Sequence, residues 1–374
     1  MKIAVNTRLL IKSQMEGIAR FNYEVLKRIV NEHPEDEFYF FFDRPYSKDF
    51  IFGDNVIPKV LFPPTRHPLL TTIWLEIILK RELKKIKPDI FFSGDSYMPL
   101  NTGIKTLIVS HDLAYLHFPE HQRFFDRNYY KLFFKKFHHA ADKIIAVSQF
   151  TKNDIVDKYN ISQEKIDVVY NAANGHFHPV DNSTKQKIKE KNTKGKPFFT
   201  YLGSIHPRKN LTTLIRAFNI FKQNDTQDYH LLIIGRPAWK TKSFYHELNS
   251  SPYKEYIITK QIPREQLPDY IASADAMFYI SLFEGFGIPI LEGFEAGIPV
   301  VTSNVSSMPE VAQDAAILVD PHDPTTVAKA MHDIANDKAL RQRLIDKGSK
   351  RLKDFSWDTS ASKVYDAIKT LANS

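Results

Sequence analysis

The chain has 374 residues, 43% hydrophobic and 25% charged, the balance of a globular protein rather than a disordered or fibrous one. One core stops growing before that length, so two domains are expected. A net charge of +8 favours anionic partners, with nucleotides, nucleic acid and membrane surfaces all open, and the absence of cysteine excludes disulfides and thiolate metal sites and suits a reducing cytosol.

The first predicted strand, KIAVN (2–6), follows Met1 directly, without the apolar stretch and cleavage site of a signal peptide. EFYFFF (37–42) is the second. PLLTTIWLEIIL (68–79) is the best apolar run, but it is too short to span a bilayer and carries Glu76. DIFFS (89–93), TLIVS (106–110) and KIIAVS (143–148) complete the first half, and FFTYLG (198–203), HLLIIG (230–235), AMFYIS (276–281), IPVVTS (298–303) and AAILVD (315–320) read as strands of the second. Helical patterns separate them throughout. That alternation predicts parallel sheets with helices on both faces, and continuous apolar runs suit strands buried on both sides. Between the halves lies the Lys-rich tract VDNSTKQKIKEKNTKGKP (180–197), closed by Gly195 and Pro197. Its drop in apolar content predicts the domain boundary, with a surface helix on it. Two doubly wound α/β domains, 1–179 and 180–356, are therefore expected, facing across a cleft.

Within the first half, RFFDRNYYKLFFKKFHH (123–139) mixes aromatic and basic residues. Tyr130, Phe133, Phe134 and Phe137 recur at helical spacing, which predicts an apolar face packed on the first sheet. A second reading sends Arg127, Lys131, Lys135 and Lys136 to anionic lipid headgroups or to a lipid-diphosphate acceptor. A single-stranded RNA stripe fits less well, because base-stacking aromatics usually stand on sheets or in grooves.

The string SLFEGFGIPILEGFEAGIPVV (281–301) carries the chemistry. Glu284 and Glu292 bracket a Gly-Phe-Gly-Ile-Pro turn, and Pro289 predicts the first position of a helix that stops at Gly297. Gly285 and Gly287 permit positive φ and close approach of a ligand to the main chain. The amides of the helix start form an anion site, while carboxylates accept bonds from sugar hydroxyls. A diphosphate flanked by sugar and ribose hydroxyls meets both demands. Taken singly, a glutamate near a helix start more commonly caps an ordinary turn.

This string resembles the signature of retaining glycosyltransferase family 4, which is Glu, seven residues, Glu. YLGSIHPRKNLTTLIRAF (201–218), LLIIGRPAW (231–239), SSMPEVAQDAAILVDPHDP (306–324) and AVSQFTKNDI (146–155) resemble further blocks of that family, in order along nearly the whole chain. The HDL and PRKN segments are most similar to its mannosyltransferase-like members. The resemblance implies the GT-B architecture of two Rossmann-like domains, with a last helix at about 357–373 returning to the first. It implies that Glu292 binds the donor ribose and Glu284 the 3- and 4-hydroxyls of the transferred sugar, helped by the amides of Gly285, Phe286 and Gly287. Arg208 and Lys209 would hold the diphosphate, Gly17 in QMEGIARF would approach it from the first domain, and His111 in SHDL would line the reaction centre. Asp112 either orients His111 or caps the next turn, and in the plainer alternative Arg208 and Lys209 are exposed charges before a helix capped by Asn210.

The activity so implied is metal-independent, retaining transfer of a hexose from a nucleoside diphosphate sugar, first mannose from GDP-mannose, to a glycan or lipid-linked glycan hydroxyl. The nucleotide sugar is a co-substrate and no cofactor is expected. No Asp-x-Asp pair occurs to bridge a metal to phosphate, and two cations would stand in for one. Localisation is expected in the cytoplasm or peripherally on the inner membrane face, without nucleic acid. A UDP-hexose donor, a nucleotide-sugar epimerase or phosphorylase on the same fold, and a non-catalytic RNA- or lipid-binding protein remain open at this stage.

Overall fold

The computed structural model describes residues 1–374 except Ser13, Gln14, Glu16 and Arg123, so part of the QMEGIARF loop and the head of the aromatic stretch lie outside the described residues. Thirteen strands form among those described, and every ladder is parallel. In the first half they are β1 (Lys2–Asn6), β2 (Glu37–Phe42), β3 (Val56–Val60), β4 (Ile90–Ser93), β5 (Lys105–Ser110), β6 (Lys143–Ala146) and β7 (Ile166–Val168), in the sheet order 3-2-1-4-5-6-7. The second half holds β8 (Phe198–Leu202), β9 (His230–Ile234), β10 (Ile257–Lys260), β11 (Ala276–Tyr279), β12 (Val300–Ser303) and β13 (Ile317–Val319), in the order 10-9-8-11-12-13. Both sheets are doubly wound, and each reverses its strand order once, at β1/β4 and at β8/β11.

Central strands are buried on both faces, as their unbroken apolar sequences require. Phe38, Phe40 and Phe41 of β2 and Phe91 and Phe92 of β4 are fully buried, as are Leu231, Leu232 and Ile233 of β9. The ten runs read from sequence all contain a strand. The three that escaped notice, β3, β7 and β10, are edge strands with half-exposed sequences, VIPKV, IDV and IITK.

Contacts divide the chain into one unit of Met1–Asn171 with Ser356–Ser374 and another of Ala172–Phe355. The boundary thus falls eight residues before the expected 179/180 junction, and the reason is local. Residues 172–179 are fastened to the second unit: Phe177 is buried, the Gly175 amide donates to Glu295 Oε1 at 2.7 Å, and His176 Nε2 donates to the Arg264 carbonyl at 3.0 Å. The Lys-rich tract carries the expected surface helix, Asn182–Thr193, capped by Asp181 and anchored through Ile188 and Thr193. Its polarity is that of a helix with one wet face.

The last helix, Trp357–Ala372, begins on a Ser356 cap and packs along the helix Ile18–Glu32 of the first unit. Trp357 meets Phe21 edge to face at 6.0 Å, Tyr365 donates to Asp36 Oδ2 at 2.8 Å, and Arg28 pairs with Asp358. Ser360 Oγ also donates to the Tyr170 carbonyl at 2.6 Å.

Candidate functional site

Doubly wound sheets take ligands beyond the carboxyl ends of their strands, where the strand order reverses. In the second sheet that place is β8/β11. Their ladder runs over two residue pairs, Ala276 opposite Phe199 and Met277 opposite Thr200. Tyr201, Leu202, Phe278 and Tyr279 lie past it, so the loop after β8 and the loop after β11 carry the site.

The loop after β8 brings in the two cations. Gly203 adopts φ 148°, and the chain then turns through the short 3-10 segment Pro207–Lys209, which His206 caps by accepting the Arg208 amide at 3.2 Å. Asn210 ends the segment in the left-handed region at φ 60°. It stands at the N-cap of the helix Leu211–Lys222, but its side chain does not bond the helix amides. Instead it donates to the carbonyls of Ile280 at 3.2 Å and Pro321 at 2.7 Å. This side chain ties the cation loop to the loop after β11, so capping is the lesser part of its role.

The loop after β11 runs to Gly287, whose φ of 103° opens the helix Ile288–Glu295. Pro289 occupies the second helical position rather than the expected first, and the helix ends as expected before Gly297, at φ 67°. Gly287 brings no capping side chain of its own, and the positive end of the helix dipole faces the loop that holds Glu284. Ser307 Oγ donates to the carbonyls of Glu284 and Phe286, both at 2.9 Å, and the Glu284 amide donates to Ser306 Oγ at 3.1 Å. Those bonds fix the loop that the Gly-Phe-Gly sequence would otherwise leave loose.

Glu284 is 7% exposed. Its Oε1 accepts Lys209 Nζ at 2.6 Å and its Oε2 faces Arg208 NH1 at 2.8 Å. Lys209 also donates to Tyr279 Oη at 2.6 Å, and Arg208 donates to the Phe283 carbonyl. Burial alone would raise the Glu284 carboxyl, but the charges of Arg208 and Lys209, with the hydrogen bond from Lys209, outweigh it and hold the group at about 2. The site therefore carries an ionised carboxylate between two cations, a net charge of +1. It can accept hydroxyl hydrogen bonds at the carboxylate and attract a multiply charged anion at the cations.

Arg208, Lys209, Glu284 and the amide-bearing turn at Gly285, Phe286 and Gly287 are thus brought together in one unit. Phe286 is itself buried, with its ring edge to face on Phe355 at 5.6 Å, so the backbone of that turn rather than its aromatic side chain serves the loop. Glu292 is half-buried on the helix that Gly287 opens, and a helical side chain leans toward the N-terminus of its helix. Gly17 and His111 belong to the first unit. Gly17 caps the helix Ile18–Glu32 at φ 52°, and no atom of the described residues lies within 4 Å of where a side chain would stand. His111 follows β5, near the strand-order reversal of the first sheet, and its Nε2 donates to the Gly94 carbonyl at 2.9 Å. Burial, opposed by that bond and by Asp112 and Asp95, pushes His111 below its ordinary value, so the ring is neutral at pH 7 with Nδ1 as its acceptor. Asp112 accepts the Ala114 amide at 2.9 Å and caps the turn Ala114–His117.

Sequence reasoning missed Tyr279, Ser306 and Ser307. Tyr279 is 1% exposed and fixes Lys209 by a hydrogen bond and by its ring, whose centroid lies 4.9 Å from Nζ. The signal for it was position, at the carboxyl end of a predicted strand beside the reversal. The two serines stood in SSMPEV, which resembled a family block without a role being attached to either residue.

Two family models tile the chain: Glycosyltransferase Family 4 over residues 15–174 and Glycosyl transferases group 1 over residues 182–351. The chain is 25% identical to O-antigen chain mannosyltransferase B of Escherichia coli, over 96% of this chain and 98% of that protein. Among solved structures, sucrose-phosphate synthase from Thermosynechococcus elongatus superposes with a TM-score of 0.76 at 17% identity, covering 99% of each chain. The Anabaena HepE protein, solved in complex with UDP-glucose, gives a TM-score of 0.76 at 14% identity over 99% of this chain and all of that one. At such identities these two structures speak for the fold, which is GT-B. The matched domains, the order of the motifs and the sheet topology agree, and the chain belongs to the group 1, family 4 glycosyltransferases.

Proposed function

We propose that the protein transfers a mannosyl group from GDP-mannose to a hydroxyl of a growing polysaccharide or lipid-linked glycan, with retention of configuration and without a metal. The observation that carries this reading is the Arg208–Glu284–Lys209 cluster at the β8/β11 reversal. The near-full-length likeness to an O-antigen mannosyltransferase supports the sugar.

When the bond between the sugar and the diphosphate breaks, negative charge grows on the departing diphosphate. Arg208 and Lys209, with the N-terminus of the helix Ile288–Glu295, stabilise that charge more in the transition state than in the ground state. They supply the positive charge that a metal gives in other transferases. As the anion draws the cations, Glu284 stays ionised and accepts hydrogen bonds from the hydroxyls of the transferred sugar. Glu292 receives the ribose hydroxyls, and the amides of Gly285, Phe286 and Gly287 complete the donor set. His111 and Gly17 are the first unit's candidates in the same reaction. Retention without a protein nucleophile follows if the acceptor attacks on the leaving-group side and the donor phosphate takes its proton.

The test is a thermal-shift panel of GDP, UDP, ADP and their hexose conjugates, since a ligand stabilises the folded state by mass action. GDP and GDP-mannose are expected to raise Tm most, and the Lys209→Ala protein is expected to lose most of that response. A larger response to UDP-hexoses would replace the donor assignment. No response to any nucleotide would overturn the reading.

A further inference from the structure

We propose that the first unit adsorbs to an anionic lipid bilayer through the outer face of the helix Phe124–Ala140 and the adjoining segment 62–69. Among the described residues five large apolar side chains are more than half exposed: Phe62 at 59%, Leu69 at 63%, Phe124 at 63%, Phe125 at 64% and Leu132 at 55%. All five fall in these two segments of one unit. The segments are neighbours, for the helix Pro68–Ile73 packs on the helix Phe124–Ala140 and the His67 ring lies 5.8 Å from that of Phe125. Concentrated apolar exposure of this kind marks an interaction surface.

The long helix is two-faced in an unusual sense. Tyr129, Phe134 and Phe137 face inward and account for its attachment to the unit. Its outer face adds Lys131, Lys135 and Lys136 to Phe125 and Leu132, all exposed, and no acidic residue of the helix is exposed. Among the described residues none of these three lysines is held in an ion pair. Apolar side chains interleaved with unpaired cations of one sign suit a headgroup layer, where rings and Leu enter the acyl boundary and lysines stay among the phosphates. A protein partner fits less well, since lysine is depleted from protein interfaces. No helix among the described residues is long and apolar enough to cross a membrane, so the contact is adsorption.

The proposal is independent of the donor reading and is tested on the full chain by co-sedimentation with vesicles. Phosphatidylcholine vesicles containing phosphatidylglycerol are expected to bind the protein at least tenfold more tightly than phosphatidylcholine alone. Changing Lys131, Lys135 and Lys136 to Gln should weaken binding about fivefold per lysine. The variant F124S/F125S/L132S should release the protein from anionic vesicles in moderate salt. All these side chains are exposed, so both variants should keep the circular dichroism spectrum and the nucleotide-dependent thermal shift of the parent. The proposal is overturned if the parent ignores anionic vesicles, if either variant binds as the parent does, or if sedimentation velocity shows self-association that the variants abolish.

Discussion

Glu284→Gln removes one charge from a cluster whose two cations remain, and the structure sets the size of the effect. The carboxyl lies at about 2 instead of 4.5. A difference of that size corresponds to roughly 3 kcal/mol in favour of the folded, ionised state. Glutamine keeps one acceptor oxygen for Lys209, so the expected loss is smaller, about 1–3 kcal/mol. At about 2–4 °C per kcal/mol for a domain of this size, Tm should fall by roughly 2–12 °C at pH 7. The pH dependence is the sharper assay. A carboxyl depressed in the folded state stabilises fully above its ordinary value and loses that contribution as pH falls through the folded value. The gap between parent and variant should therefore be constant above pH 5 and shrink as pH falls from about 4.5 toward 2. Lys209→Met in the Glu284→Gln background should cost less than Lys209→Met in the parent, because the lysine has then lost its carboxylate. An unchanged Tm at pH 7, a gap undiminished at pH 3, or fully additive single effects would refute the account of an ion cluster held against burial.

Lys209→Ala should lower kcat/KM with the donor that the thermal-shift panel names by ten- to a hundredfold, because a charge-assisted bond contributes about 1.5–3 kcal/mol. Gly287→Ala places a Cβ 3.1 Å from Ile290 Cδ1 at φ 103°, and should destabilise by about 1–3 kcal/mol, read by denaturant titration. His138 is buried between the Phe134 carbonyl and Ser110 Oγ, and burial pushes it down to about 4. A histidine held neutral by folding destabilises as pH falls below its ordinary 6.5, until about 4. Stability from denaturant titration should therefore decline between those limits, and His138→Gln should flatten that slope.

The centres of both sheets were legible because burial on two faces demands unbroken apolar sequence. Edge strands lack that demand: Ile57 of β3 is exposed, and Lys59 in the same strand reaches Glu82. The polar tract after residue 180 was misplaced as a boundary for a related reason. Composition records how wet a segment is, and a surface helix is as wet as a linker. For the site, the spacing of Glu284 and Glu292 and the cations after β8 were readable because each sits in a short contiguous motif. The support from Tyr279, Asn210 and Ser307 was not, since those bonds join residues 21 to 111 positions apart. Sequence order gives no hint of such distances until the strands are paired.

The closing helix gives the first unit an unusual calendar. A ribosome releases β1 to β7 and the helix Ile18–Glu32 early, yet the side of that helix that receives Trp357 and Tyr365 stays bare until the entire second unit has been made. The second unit, unbroken from Ala172 to Phe355, has all its own strands in hand and can finish first. Maturation of the earlier-synthesised half thus waits on the later one, and removing the helix Trp357–Ala372, whose buried face carries Trp357, Val364, Tyr365 and Ile368, should harm the half of the molecule made first.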